Sequence, residues 1–501
     1  MAKVSEITTM CKTGQVESAY SIARLDYEAH PDNVWTQIGL GWALYYKIRE
    51  AVAGKSLYSL VANLKELSEL DLLSGEHGKM ICTNVAWKLA DYVKALPPGN
   101  NSDADSLFDV FRNLKFGPSS GYSYLLSVYL KLENWEGLQN FIEWWNLDNL
   151  QAEDYQQFKM QNGRQMISLA ERAYIGYAKA LLRSGDKWLA DAFIPKLEAL
   201  AESHSEMTYP GYFCGKLMIS AGASREDALT AVVPFVRKKK TEFWAWQLLA
   251  DVFKDEPDNR LACLLRAVHC KAKEEFLGKV RLALALAYID RNDIARAKYH
   301  LDFSLRCYLG HGWRLPREVD DWMRQPWMRT AVADGSDGIE WLHITDGILT
   351  YGASKSVAVA TYVDQSAKRV SVVYGKKRRA VMRLSELHWK VVAGDLFTLY
   401  WEPAADDRIT VAGAERIRDM KFAETDYVRI LKGSVARKAG CAFAFVGNCF
   451  VSPALVERER LTDGQCVTAL SVLDYNKKKN DWTWICVSVK KKLGKYGKID
   501  I

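Results

Sequence analysis

Phe443, Phe445 and Phe450 have the side-chain type and the spacing for base stacking. The first two stand two apart in a run of strand-forming residues, so both rings leave the same side of an extended chain, and Phe450 follows on the next such run. Rings presented in this way stack on unpaired nucleobases for about 1–3 kcal/mol per base without reading their hydrogen-bonding edges. Stacking leaves the phosphates to be neutralised by cations. Arg437, Lys438, Lys477, Lys478 and Lys479 fall near the ends of the same strands, and Lys376, Lys377, Arg378 and Arg379 form an earlier run that suggests a phosphate-facing hairpin. Trp482 and Trp484 repeat the two-residue spacing further on, either as added stacking surface or as core. Against this stands an arrangement in which the three phenylalanines face inward and the lysine runs are only solvated hairpin ends. The charge distribution favours the first: residues 336–501 hold 27 Lys and Arg against 19 Asp and Glu, while residues 1–335 hold 41 against 42.

The elements that must carry these residues are short strands. From residue 342 the hydrophobic period drops to two, with Val, Ile, Thr, Phe and Tyr between turn residues. Strands are expected at 344–351, 357–363, 369–374, 380–384, 395–401 and 409–411, and again at 428–436, 442–446, 449–451, 466–475 and 482–489. Each set has about five strands and a glycine-led turn before a late strand, Gly394 in one and Gly464 in the other, which fits two five-stranded OB-type barrels. The second and third strands of the first set show little aromatic alternation. That barrel is therefore either a phosphate-binding unit or a spacer packed on its neighbour. The tail with Lys490, Lys491, Lys492, Lys495 and Lys498 is expected to add non-specific affinity.

Lys432, Gly433, Ser434 and Val435 stand in the order lysine, glycine, any residue, valine, ahead of the two alternating phenylalanines and of Phe450. Over residues 426–492 this resembles a cold-shock or S1-type OB barrel, whose first strand carries that tetrad and whose second and third strands carry the exposed aromatics. The resemblance implies binding of single-stranded nucleic acid. The family's first-strand tryptophan aligns here with Arg437, the histidine after its third-strand aromatic with Ser452, and its flanking glycines with Ala442 and Ala444. One or two of its stacking positions are accordingly expected to be absent.

The first 309 residues read as helix after helix. Trp35, Ile38, Gly39 and Trp42 open a helix in phase with Ala19, Ala23 and Pro31 before it. Trp246, Leu249, Ala250, Phe253 and Ala262 are followed 35 residues later by Arg281, Leu284, Ala285, Tyr288 and Ala297. Weaker copies are Tyr122, Leu125, Leu126 and Tyr129 with Leu138, and Tyr174, Tyr177, Ala178 and Leu181 with Ala190. These offsets resemble degenerate tetratricopeptide (TPR) repeats, in which small residues such as Gly39, Ala250 and Ala285 let paired helices approach. The plainer alternative is a non-repetitive α-helical domain. The expected organisation is thus multidomain: a TPR-like all-α solenoid over residues 1–309, a capping helix and linker over 310–341, a first OB-like barrel over 342–422, a second over 423–493, and a basic tail over 494–501.

Other chemistry finds little support. Gly54, Lys55 and Ser56 resemble the close of a phosphate-binding loop, but Arg49 stands where its leading glycine belongs. There is no H-E-x-x-H, no G-x-S-x-G and no cluster of His or Cys ligands, so neither metal nor cofactor is expected. The ten cysteines include no C-x-x-C pair and read as reduced, mostly buried thiols. The N-terminus has no signal-like apolar core and no segment approaches ~20 apolar residues, so a soluble cytoplasmic protein without membrane contact is expected. Helical ribonucleases of the HEPN type place an arginine a few residues before a histidine, a spacing shared by Arg306 with His311 and by Arg24 with His30.

The leading expectation is a non-catalytic protein whose barrels hold single-stranded RNA or DNA, RNA favoured, and whose helices hold a protein partner. A pure protein-interaction adaptor is the main alternative, and a ribonuclease using Arg306 and His311 a minor one. The combination of degenerate TPR helices with tandem S1 or cold-shock barrels is similar to accessory proteins of bacterial TOTE-type conflict systems, which implies a role in defence against phage or mobile DNA.

Overall fold

The computed structural model describes residues 3–71, 75–132, 134–159, 161, 163, 165–336, 338–403, 408–418, 425–476 and 480–491. They fall into two compact units, residues 1–231 and 232–501. Among the described residues no helix is long and apolar enough to cross a membrane.

The first unit runs through α1 (Val4–Lys12), α2 (Val16–Ala29), α3 (Val34–Ala53), α4 (Leu57–Ser68), α5 (Glu76–Lys94), α6 (Asn101–Phe111), α7 (Ser120–Tyr129), α8 (Leu138–Trp145), α9 (Leu169–Ser184), α10 (Lys187–Ser203) and α11 (Pro210–Ala221). A short antiparallel pair, β1 (Phe158–Lys159) and β2 (Gln165–Met166), precedes α9. Asn33, Ser56, Ser119, Ser168 and Asp186 each accept a first-turn N–H that the helix cannot pair internally, which sets the starts of α3, α4, α7, α9 and α10. Alternate helices form a row, with α3 packed on α1 and α5, α5 on α7, α7 on α9 and α9 on α11.

Two positions expected to bring helices together do not. Trp35 is 57% exposed, and a Cβ at Gly39 would meet nothing within 4 Å. The close crossing lies instead between α5 and α7, where a Cβ on Gly121 would sit 2.3 Å from the Thr83 carbonyl oxygen and 2.9 Å from the Trp87 ring. A backbone oxygen cannot swing aside as a side-chain end can, so Gly121→Ala is expected to destabilise this unit by about 1–3 kcal/mol. A lower urea midpoint at unchanged slope is the measurement, with Gly39→Ala as a control that raises the midpoint through helix propensity alone.

The second unit begins in α12 (Arg225–Lys238) and continues through α13 (Phe243–Val252), α14 (Pro257–Val268), α15 (Gly278–Ile289), α16 (Ile294–His311), α17 (Arg317–Met323) and α18 (Trp327–Thr330). Trp246, Leu249, Ala250, Phe253 and Ala262 are buried as their spacing requires, and so are Leu284, Ala285, Tyr288 and Ala297. The stretch read as a linker lies along the helices: Lys298 Nζ donates to Ala331 O at 2.9 Å, Asp334 N to Ala295 O at 3.1 Å and Arg296 Nε to Ser336 Oγ at 2.9 Å.

The strand expected at 344–351 is a helix, α19 (Leu342–Ile348). Its β-branched residues are overruled by tertiary bonds, because Arg266 of α14 donates to Thr345 Oγ1 at 2.9 Å and to Leu342 O at 3.1 Å and pairs with Asp346. Arg237 of α12, almost wholly buried, holds the exit of α19 by donating to Leu349 O at 2.5 Å and to Tyr351 O, and it pairs with Glu402.

Two β-domains complete the unit. The first has β3 (Ser354–Asp364), β4 (Arg369–Gly375), β5 (Arg378–Arg383), β6 (Leu396–Pro403) and β7 (Ile409–Arg416) in the order β5-β4-β3-β6-β7. The second has β8 (Val428–Ala436), β9 (Ala444–Val446), β10 (Cys449–Val451), β11 (Cys466–Asn476) and β12 (Asp481–Lys491), with α20 (Pro453–Arg458) between β10 and β11, and closes as β10-β12-β11-β8-β9. Numbered within each domain, both have the neighbour order third, second, first, fourth, fifth. Among the described residues, only the second adds the ladder from third to fifth strand that makes a barrel.

A closed barrel is thus shown for the second β-domain; among the described residues the first is a five-stranded sheet with the same neighbour order. The turn Leu384–Glu386 that follows β5 packs on β7, and the edge strand β5 exposes Arg378, Arg379 and Arg383, a charged edge that resists further pairing. The glycine-led turns correspond. Gly394 and Gly464 have positive φ, and their N–H groups donate to Ala360 O at 2.7 Å and Val435 O at 2.8 Å on the first strand of each domain. The two domains share a hydrophobic cluster of Val359, Val373 and Leu396 with Val428, Leu470, Val472 and Val487.

Candidate nucleic-acid interface

Strand alternation builds the aromatic face. Ala444, Val446, Cys449 and Val451 point into the barrel and are buried, which leaves Phe443, Phe445 and Phe450 outside. Gly447, with φ of +60°, and Asn448 make a two-residue turn that sets Val446 opposite Cys449 and Phe445 opposite Phe450. Phe443 and Phe445 are 39% and 38% exposed, values that exclude a core position, and Phe450 is partly covered between them. The three rings contact one another, with centroids 5.8 Å apart for Phe443–Phe445, 5.7 Å for Phe443–Phe450 and 5.9 Å for Phe445–Phe450. Ala436 of β8 pairs with Phe445, so the outer row continues onto β8, where Lys432 lies exposed about 13 Å away on the same face.

Arg437, at the position of the family's tryptophan, works on the barrel itself. Its backbone N–H donates to Asp463 Oδ1 at 2.7 Å, its Nε to Cys441 O at 3.0 Å and its Nη1 to Leu461 O at 3.3 Å. It thereby ties the β8–β9 loop to the chain entering β11 and leaves Lys438 as the exposed cation of that loop. Ser452, at the family's histidine, caps α20 by accepting the Leu455 N–H at 3.3 Å. Both departures from the family thus have a local structural use.

The tryptophans divide. Trp484 packs against the barrel core with Arg429 over its ring at 3.8 Å. Trp482 meets Tyr475 across the β11–β12 hairpin, centroids 5.7 Å apart, beside the tip where Lys477, Lys478 and Lys479 lie outside the described residues. The tail from residue 492 also lies outside them. Tyr475 was not singled out by spacing alone, because its partner ring comes from the next strand.

The upstream basic run divides as well. Lys376 and Lys377 sit exposed on a tight turn, Lys377 with φ of +59°. Arg378 lies over the Trp401 ring at 5.3 Å, and Arg379 Nε pairs with the nearly buried Asp474 of β11 at 3.0 Å. Arg379 therefore joins the two β-domains, a use that no local reading of four consecutive cations reveals.

Below the aromatic face lies a buried thiol pair. Arg429 Nη2 donates to Cys449 Sγ at 2.8 Å, and Ser471 Oγ is 3.3 Å from Cys486 Sγ. Hydrogen bonding from Cys486, Ser471 and Arg429 holds the Cys449 thiol below its ordinary range against the opposing effect of burial. In the helices, Arg306 lies over Phe303 at 5.6 Å and His311 stacks on Trp313 at 4.6 Å, so each is engaged with its own ring.

The outward aromatic triad thus stands at the second and third strands of a closed five-stranded barrel. Residues 429–489 match the S1/CSD-like domain 2 of the TOTE conflict systems. The match covers β8 to β12 and all three rings, so this S1/CSD-like domain carries the candidate surface. Residues 208–340 match DUF7017, a domain of unknown function, and this stretch holds α11 to α18. No curated protein matches the chain.

Proposed function

We propose that the protein is a non-catalytic binder of single-stranded nucleic acid, RNA preferred, that acts within a conflict system and uses its helices to recruit a protein partner. The observation that carries this is the exposed triad of Phe443, Phe445 and Phe450, three touching rings on the outer face of the S1/CSD-like domain. Successive bases stack on such a platform irrespective of sequence. Lys432 and Lys438 flank it, and Tyr475 with Trp482 forms a second aromatic pair beside the β11–β12 hairpin. RNA is preferred because cold-shock-type domains are a common module for unpaired RNA. The first β-domain supports the second through their shared core, and only Lys376 and Lys377 of its basic run stand exposed and uncommitted to a ring or carboxylate in the described structure.

Fluorescence anisotropy with the full chain and short single strands is the test. Binding at about micromolar Kd or tighter, weakening with a log–log salt slope of about −0.7 per phosphate contact, is the expected result. No binding at low salt removes the proposal. A protein adaptor that does not bind nucleic acid is the second possibility, favoured by Trp35, Tyr58 and Trp188, which are exposed on the helices. Partners retained after nuclease treatment by a chain that binds no single strand would decide for it.

A further inference from the structure

A groove of about 600 Å³ runs along α9 and takes no part in the site above. Arg172, Lys179 and Arg183 line it from α9, at positions i, i+7 and i+11, which fall on one stripe about 16 Å long. Lys131, just beyond α7, adds a fourth cation. Among the described residues that line it there is no carboxylate. Arg172 is the informative member: its Nε is buried with no hydrogen-bond partner among the described residues, and burial draws its guanidinium below the ordinary range. A buried guanidinium N–H without a partner is costly, and an anion seated in the groove would relieve that cost.

The floor between the cations is aliphatic. Leu130, Ile175 and Leu182 form it, and Gly176 lets Leu130 lie against α9, since a Cβ there would come within 2.7 Å of the leucine methyl. No aromatic ring occurs among the described lining residues, so a nucleic acid would find phosphate contacts but nothing on which to stack a base. A small anion would engage one focus, whereas these charges are spread over three helical turns. Branched aliphatic side chains with carboxylates at either side match both the floor and its rim.

We propose that this groove docks an acidic amphipathic segment of a partner protein, with its carboxylates on Arg172, Lys179, Arg183 and Lys131 and its aliphatic side chains on the Leu130–Ile175–Leu182 floor. It rests on the partner-recruiting role given to the helices above and supplies that role with a place and a chemistry.

The probe is a fluorescent helical peptide of about 15 residues with leucines at i, i+3, i+4 and i+7 and glutamates elsewhere, titrated into the full chain. Saturable binding is expected, weakened about tenfold or more by Lys179→Glu with Arg183→Glu. Both are exposed, so the pair is expected to fold, which circular dichroism checks. Lys376→Glu with Lys377→Glu is expected to leave peptide binding unchanged. The inference is overturned if the peptide fails to bind at about 1 mM, if its leucine-to-serine version binds equally well, or if the groove variant keeps full affinity. A groove variant that loses single-strand RNA binding as strongly as peptide binding overturns it in favour of a nucleic-acid site. If wild-type protein retains a partner after nuclease treatment and the groove variant retains it equally, the groove is wrong while partner recruitment stands.

Discussion

Phe443→Ala combined with Phe450→Ala is expected to weaken binding of a short single strand by about 2–6 kcal/mol, at least ~30-fold in Kd, while leaving the salt slope unchanged. The figure follows from one stacked base lost per ring at about 1–3 kcal/mol. Each of the three rings touches the other two, so removing two also frees Phe445 to turn, and the double substitution should cost more than the sum of the single ones. Phosphate contacts set the slope, and none of them involves these side chains. Lys432→Ala with Lys438→Ala is the complementary pair: it should flatten the slope by about 1.4, from about 0.7 for each of two phosphate contacts, with a smaller loss at high salt. The outward position of Phe443 means that truncation leaves no core cavity, so unfolding is not the expected route to lost affinity. A doubly substituted protein that binds as tightly as the original would show that the rings do not stack on bases.

The second β-domain was legible because its determinants are local. Alternation of period two, the Gly447–Asn448 turn and the Gly464 turn each act over a few residues, and together they place Phe445 opposite Phe450 without long-range information. Closure of a barrel is a different kind of property. The first β-domain has the same neighbour order, but whether its third strand meets its fifth depends on side chains far apart in sequence, and the run that ends in Arg378 and Arg379 belongs to an open edge. Charge was misleading for the same reason. Arg379 is committed to Asp474, ninety-five residues away, and the Arg437 guanidinium to two loop carbonyls, so a count of cations overstates those available to phosphate. At 344–351 the strand-forming residues yielded to bonds from Arg237 and Arg266. Gly39 matched a repeat pattern yet leaves open space where a Cβ would stand, whereas Gly121 matched none and sits where a Cβ would strike the Thr83 carbonyl oxygen.

Arg281 shows how a residue out of keeping with its pattern marks a physical peculiarity, and it leads to the second large effect. It stands 35 residues after Trp246, half-buried between α15 and α16, with its Nη1 3.0 Å from His300 Nδ1. A guanidinium only donates, so Nδ1 must accept and the imidazole proton sits on Nε2, which is buried without a partner among the described residues. Tyr288 stacks on the imidazole at 5.6 Å, Tyr299 meets it edge-on at 5.2 Å, and Arg296 lies over Tyr288 at 5.8 Å. Burial first, and then the charges of Arg281 and Arg296, push His300 down to about 3 from an ordinary 6.5.

The folded protein therefore keeps His300 neutral throughout the range in which an unfolded chain would protonate it. The stability is fully present above pH ~6.5 and is lost as pH falls from there towards ~3, at about 1.4 kcal/mol per pH unit. At pH 5 the loss is about 2 kcal/mol. Chemical denaturation of wild type and His300→Gln at pH 7 and pH 5 should show the wild type losing about 2 kcal/mol more than the variant, because glutamine keeps an acceptor for Arg281 and cannot titrate. Equal losses would mean that the folded protein accommodates a charged imidazole beside Arg281. A variant less stable than wild type by the same amount at both pH values would mean that its amide cannot replace Nδ1, a pH-independent cost that Arg281→Met in the same background should relieve by removing the cation while keeping its bulk.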